Sequence, residues 1–231
     1  LLDSGDFQKL VKKVVKSSSY KKILKNKKNA IKNGKIYGIG YSAIIEPSIS
    51  NMGYVTTALP YKDREKTGHK GGALASTSVS IGPTGSVYVT CDSLPQGQGH
   101  KTILSQIVAD VFGIKINDVF VNTTHDTHKD AWSIAAGNYS SRFAGAVAGS
   151  AFNAANNLKK KLQKIAASQL NCKSENVLFD KEKVYDKKNS DNYFNFKRLV
   201  GIPHWSPGNL PETLNPSLKE TVFWGNEKLR P

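Results

Sequence analysis

The sequence is short of cysteine, arginine and acidic side chains, and each shortage removes a class of function. Its two cysteines, Cys91 and Cys172, stand far apart, which gives neither a disulfide framework nor a paired zinc-ligand pattern. They read as free thiols of a reducing cytoplasm. No apolar run approaches the roughly 20 residues needed to span a bilayer, and no N-terminal apolar segment with a small-residue cleavage site signals export. Acidic residues number 18 against 33 lysines and arginines, for a net charge of +15, a balance that ordinarily points to a polyanion. Yet only four of those basic residues are arginines, and the bidentate fork of arginine is what specific nucleic-acid contacts favour. The lysines crowd into two stretches, eleven between Phe7 and Ile45 with no acidic residue among them and a second group from Lys159 to Lys188. Such coats read as solvated faces or as docking surface for an acidic subunit, so no nucleic-acid partner is expected. Methionine is rarer still: Met52 is the only one, and the chain starts Leu1-Leu2-Asp3. A piece of a longer translated product is the expectation.

What is present is ample for a core, with 231 residues of which 39% are apolar and 9% aromatic. Phe7, Leu10, Val11, Val14 and Val15 recur at helical spacing behind Asp6, and a second helical stretch covers Tyr20 to Ala30. Asn33-Gly34 breaks the pattern, and the β-branched and aromatic run Ile36 to Glu46 predicts a strand. Ser48 to Gly72 has no period and predicts a loop with a short strand near Val55. Ala73 to Ile81 and Ser86 to Cys91 form a hairpin across Gly82-Pro83-Thr84-Gly85. Ile103, Leu104, Ile107, Val108 and Val111 then carry a helix to Gly113, Val119 to Thr123 a strand, and Phe143 to Leu170 a long helix with small residues at Ala144, Ala148 and Ala151. A small hairpin around Asp180-Lys181 and a short helix over Phe194 to Val200 follow. The stretch from Pro203 to Pro231 holds five of the nine prolines and is expected to wrap a surface rather than join the core. Strands and helices in segregated runs predict an α+β fold, a mixed sheet with packed helices. The organisation expected is a helical lead-in over residues 1–35, an α+β domain over 36–200 and a Pro-rich tail over 201–231.

Two turns stand out chemically. Gln96-Gly97-Gln98-Gly99-His100 lies between a strand and a helix, where glycines admit close approach of a ligand and unpaired amides favour an anion. The glutamine amides suit a heterocycle with amide-like edges. Ala135-Ala136-Gly137-Asn138-Tyr139-Ser140-Ser141-Arg142 precedes the long helix, and its amides and hydroxyls suit a phosphate, with Arg142 supplying charge. Each turn taken singly is as well explained by tight turning or helix packing. Two of them in one chain favour a clamp on an extended phosphorylated cofactor. His125 and His128, three residues apart in a polar stretch, read as loop histidines rather than metal ligands, and Asp92 and Asp126 as turn carboxylates bonding local amides.

Together these motifs resemble a known family. Gly85-Ser86-Val87-Tyr88-Val89-Thr90 leading into Gln96-Gly97-Gln98-Gly99-His100-Lys101-Thr102, then Gln106-Ile107-Val108-Ala109-Asp110 and Gly113-Ile114, resembles the second molybdenum-cofactor domain of the xanthine dehydrogenase, aldehyde oxidase and aerobic carbon monoxide dehydrogenase large subunits. Gly137-Asn138-Tyr139-Ser140-Ser141-Arg142 is similar to that family's Gly-Thr-Tyr-Gly-Ser-Arg segment, at the right distance. Asp3-Ser4-Gly5-Asp6, Gly38-Ile39-Gly40, Glu46-Pro47 and Ala166-Ala167 agree in order. The resemblance implies an oxidoreductase, a molybdenum hydroxylase whose metal is held by a pterin dithiolene rather than by protein side chains. It implies that Gln96, Gly97, Gln98, Gly99 and His100, with Gly137, Asn138, Tyr139, Ser140, Ser141 and Arg142, contact the molybdenum-pterin, in the molybdopterin cytosine dinucleotide form of bacterial and archaeal members. It implies iron–sulfur and FAD groups on partner subunits, a small-molecule substrate, and a general-base glutamate and a first molybdenum domain supplied by other large-subunit segments.

This sequence departs from the family at Lys101, where an acidic residue is usual, and at Asn138, Ser140 and Phe143, with a longer loop from Asp126 to Gly137. Glu46, Glu212, Glu220 and Glu227 sit in no context that matches the family's base. The chain alone is therefore expected not to turn over, and its partner-facing surfaces to make it self-associate or dissolve poorly. The departures motivate one rival, a non-catalytic assembly module of the same fold; the lysines motivate another, a polyanion-binding module.

Overall fold

The structure, a computed structural model, describes residues 5–44, 59–66, 74–128, 130–133, 138 and 141–225. The chain divides into two compact units, Leu1–Ile45 and Glu46–Pro231. The first is a helical pair. Asp6 caps α1 (Phe7–Ser17) by accepting from the Lys9 amide at 2.8 Å, and α2 (Tyr20–Lys32) ends at Asn33. Beyond Gly34, at φ 69°, the chain takes no regular secondary structure, its Tyr41 hydroxyl 2.8 Å from Ser18 Oγ. The strand expected over Ile36 to Glu46 is absent from the described part, residues 36–44. β-Branched residues favour an extended backbone, but a strand also requires a ladder partner, and Ile36 and Ile44 are left exposed.

In the second unit, β1 (Leu74–Ile81) and β2 (Val87–Cys91) form the expected hairpin, closed by Gly85 at φ 90°. β2 pairs in parallel with β3 (Val119–Asn122). The connection is α4 (His100–Phe112), which ends at Gly113. A π-helical turn, Phe143–Val147, leads into α5 (Ala148–Leu170). Both helices bury their apolar stripes on one sheet face, where Val79, Val87, Val89, Val108, Phe112, Leu158 and Leu162 form the core. The other face leaves Tyr88 and Phe120 half exposed and stacked at 5.7 Å.

A second, antiparallel sheet contains β4 (Val177–Asp180), β5 (Lys183–Asp186) and β6 (Asn189–Asn195), followed by α6 (Phe196–Trp205). Its turn places Lys181 and Glu182 at positive φ, and the Glu182 amide donates to the Gly113 carbonyl at 2.7 Å. Gly113 needs its hydrogen, since a Cβ there would stand 2.9 Å from the backbone of Asp180. β6 has the polar sequence Asn-Ser-Asp-Asn-Tyr-Phe-Asn, which carries little strand propensity, and it is defined by pairing to β5.

Two expectations are corrected. Within the stretch read as loop, Tyr61–Lys66 is a short helix, α3; the strand near Val55 lies outside the described residues. The Pro-rich tail does not only wrap a surface. Lys219–Gly225 forms β7, antiparallel to β1, so the main sheet runs β3-β2-β1-β7. No proline falls between Leu218 and Gly225, and Lys219 to Trp224 alternate in exposure as a strand on a packed sheet does. Trp224 of β7 sits against Gly149 of α5, so close that a Cβ there would lie 2.2 Å from the indole. No helix of the described residues is long and apolar enough to cross a membrane.

Candidate functional site

Parallel pairing puts the C-terminal ends of β2 and β3 at one end of the sheet, and the chain after β2 opens there into the first glycine turn. The Gln96 amide donates to Gln98 Oε1 at 2.6 Å, which folds the turn on itself. Gly97 and Gly99 take φ of 100° and 81°, conformations that side-chain-bearing residues rarely adopt. A Cβ on either would meet nothing within 4 Å, so their freedom is needed by the backbone while the space beside them stays open. Gln96, Gly97, Gln98 and Gly99 are all exposed. Gly99 is the N-cap of α4, and no side chain caps that helix. Its first amides and the positive end of its dipole therefore face outward.

His100 does the opposite. It is fully buried, with Nε2 3.3 Å from Ser93 Oγ and its ring 4.0 Å from that of Phe143, centroid to centroid. Burial pushes its pKa below the ordinary histidine value, and a hydrogen bond with the Asn138 side chain opposes that shift in part. Through Asn138 and Phe143, His100 brings the opening of α4 against the approach to α5. The two turns separated in sequence thus meet. Of the second turn, Asn138, Ser141 and Arg142 are described, Ser141 exposed and at φ 50°; Gly137, Tyr139 and Ser140 lie outside the described residues.

Arg142 is placed differently from the outward-facing charge the sequence suggests. It is fully buried, donates from Nη2 to the Leu74 carbonyl, and lies 3.5 Å from Ser133 Oγ and 3.9 Å from Asp92 Oδ1. Asp92, also buried, accepts from the Ser133 amide at 2.9 Å and the Ser133 hydroxyl at 2.7 Å. Asp92 is thus not a local turn carboxylate, because its partners come from 41 and 50 residues downstream. No spacing rule marks such a pairing. Asp126 does bond a local amide, that of His128 at 3.0 Å. Among the described residues, no group of three His, Cys, Asp or Glu is placed to hold a metal ion. Cys91 is buried beside this network, its thiol pushed up by burial above all and donating to the Ser93 carbonyl at 3.4 Å, which makes it a poor nucleophile.

The geometry is that of an exposed, uncapped helix opening with glycine backbone free for close approach, braced from behind by buried polar groups. Comparison with known proteins supplies the context. Residues 13–230 match the family described as the molybdopterin cofactor-binding domain. The chain belongs to this family. Over 226 residues, 98% of the chain, it is 25% identical to the nicotine 6-hydroxylase large subunit of Paenarthrobacter nicotinovorans, and over 228 residues, 96% of the chain, 28% identical to the carbon monoxide dehydrogenase large chain of Afipia carboxidovorans. It spans 26% of the length of each of these relatives. Among solved structures, the Cu,Mo-dependent CO dehydrogenase in its carbon-monoxide-reduced state aligns with a TM-score of 0.62 at 27% identity, covering 96% of this chain and 27% of the other. Quinoline 2-oxidoreductase from Pseudomonas putida 86 aligns at 0.63 and 29% identity, covering 68% of this chain and 19% of the other. The molybdopterin-binding α+β fold expected from the motifs is the fold observed.

A molybdenum-pterin fits the residues present at the first turn. The open side of Gly97 and Gly99 admits a planar group to the backbone, and the uncapped α4 offers amides to an anion.

Proposed function

We propose that this chain is the cofactor-binding portion of the large subunit of a molybdenum hydroxylase, similar to carbon monoxide and xanthine dehydrogenases. The observation that carries the reading is the open glycine turn Gln96–Gly99 at the uncapped N-terminus of α4, tied by the buried His100 to the segment that opens α5. When bound, the molybdenum-pterin supplies two-electron oxidation–reduction chemistry at a carbon centre.

The chain's own residues hold and orient it. Gln96 and Gln98 offer amide donors and acceptors to the pterin edge, and Gly97 and Gly99 let the backbone come within contact distance. The α4 amides receive a phosphate, with Lys101 beside them. A lysine in the first turn of a helix is unfavourable against the dipole by itself, and a bound anion relieves that conflict. Asn138 and Ser141 contact the cofactor from the second turn, and the sequence resemblance assigns Gly137, Tyr139 and Ser140 to the same contact. Arg142 contributes from inside, as a brace for that turn, and His100 fixes the distance between the two. The dinucleotide form is the cytosine one. The base and the substrate-lining loops come from large-subunit segments that these residues do not span, and iron–sulfur and FAD subunits take the electrons in the cytoplasm.

The test is the pterin content of the complex purified with its co-expressed subunits, compared between wild type, Gln98→Ala and Asn138→Ala. Loss of pterin in both variants, with subunit assembly kept, is the expected result. Unchanged pterin in both contradicts the placement of the cofactor at these turns.

A further inference from the structure

Asp92 stands outside the motifs that resemble the family, yet it is the hub of the buried polar cluster behind the site. Its Oδ2 accepts from both the amide and the hydroxyl of Ser133, at 2.9 and 2.7 Å. Its Oδ1 faces Arg142 Nη2 at 3.9 Å, and all three side chains are at least nine-tenths buried. Arg142 and Ser133 also bond the Leu74 carbonyl at the start of β1, Ser133 at 3.0 Å. Next to Ser133 on the same strap, the Ala131 carbonyl accepts from Ser76 Oγ at 2.7 Å. Four pieces of chain therefore meet around Asp92: the start of β1, the end of β2, the strap 131–133, and the residue just before the π-helical turn. The Asp92 carboxylate is a buried charge opposite to that of the Arg142 guanidinium and 3.9 Å from it, so Asp92 contributes to the position of Arg142.

Resting on the function proposed above, we propose that Asp92 is the positioning residue of the second cofactor turn. It fastens Ser133 on one side of that turn and Arg142 on the other. Asn138 and Ser141 lie between these two anchors and are held by them against the opening of α4. Asp92 itself touches no cofactor. It acts through Ser133 and Arg142, and its loss lets Asn138 and Ser141 drift while the first turn keeps its shape.

The experiment uses the assembled complex as wild type, Asp92→Ala, Asp92→Asn and Ser133→Ala, each held well below its melting temperature. Two quantities are read: hydrogen exchange at the Ser133 amide, and the rate at which pterin is released after dilution. Asp92→Ala is expected to speed both by tenfold or more, with exchange in the turn 96–99 unchanged. Asp92→Asn keeps an acceptor for the Ser133 amide and is expected to recover most of the exchange protection, but less of the pterin retention, because its neutral amide sets no charge against Arg142. Ser133→Ala, which spares that charge, is the gentler variant should Asp92→Ala fail to fold, and is expected to speed release less than Asp92→Asn. Pterin release within twofold of wild type in Asp92→Asn and Asp92→Ala overturns the positioning role. A wild-type complex with no pterin overturns the function reading instead, and unchanged exchange at the Ser133 amide in Asp92→Ala overturns the anchoring of Ser133 by Asp92.

Discussion

Gly97→Ala and Gly113→Ala make a matched pair, because both put a methyl group on a residue of positive φ while the surroundings differ. At Gly113 the new Cβ would lie 2.9 Å from the Asp180 backbone, and φ is 63°. The left-handed conformation costs about 1–2 kcal/mol for an L-residue, and crowding in a packed site adds about 1–3 kcal/mol. At about 2–4 °C per kcal/mol for a unit of this size, the sum of about 2–5 kcal/mol lowers the melting temperature by about 4–20 °C. At Gly97, φ is 100° and nothing lies within 4 Å, so only the backbone term remains. That is about 1–2 kcal/mol, or about 2–8 °C. Cofactor binding should rank the other way. The methyl at residue 97 occupies the space through which a ligand approaches the backbone and should weaken pterin binding at least tenfold, about 1.4 kcal/mol. The methyl at residue 113 lies at the far end of α4 and should leave binding alone. Thermal melts and pterin content of the same two complexes decide it. Full pterin in Gly97→Ala would refute the reasoning, because it would show that the open side of the turn faces nothing.

Gly149→Ala should destabilise the fold even though alanine is the better helix former by about 1 kcal/mol. The Cβ would lie 2.2 Å from the Trp224 indole, and overpacking of this kind costs about 1–3 kcal/mol; a raised melting temperature would contradict the packing of β7 on α5. The stability of the fold should also fall as pH drops below the ordinary histidine range. The folded pKa of His100 is depressed by burial, so the unfolded chain takes up a proton first, at about 6.5, and the stability contributed by neutral His100 is present above that value and lost between it and the lower folded pKa. Replacing His100 by Gln should flatten that limb in denaturant titrations at a series of pH values; an unchanged limb would assign it to another group.

Legibility followed the range of the interactions. The β1–β2 hairpin, α4 and the long helix α5 were readable because their signals are local, namely alternation across a glycine turn and apolar spacing that ends at Gly113 or Leu170. The first turn was readable for the same reason. β6 and β7 were not, since a polar heptapeptide and a strand behind four prolines become strands only through partners, β5 and β1, that sequence spacing does not name. The reverse happened over residues 36–44, where strand-like composition meets no ladder. At the site, the inward aim of Arg142 escaped sequence reasoning because the Leu74 carbonyl and Asp92 that it meets stand 68 and 50 residues away, and a carboxylate after a strand resembles any turn aspartate. His100 was picked out as a contact, and burial gives it the different task of joining two turns.

The most direct test of the account is the molybdenum and pterin stoichiometry of the wild-type complex, purified after co-expression of this chain with the subunits proposed for it. About one molybdenum and one pterin per copy of the chain is the predicted result. A fully assembled complex with neither would contradict the central claim and leave the glycine turns as structure alone.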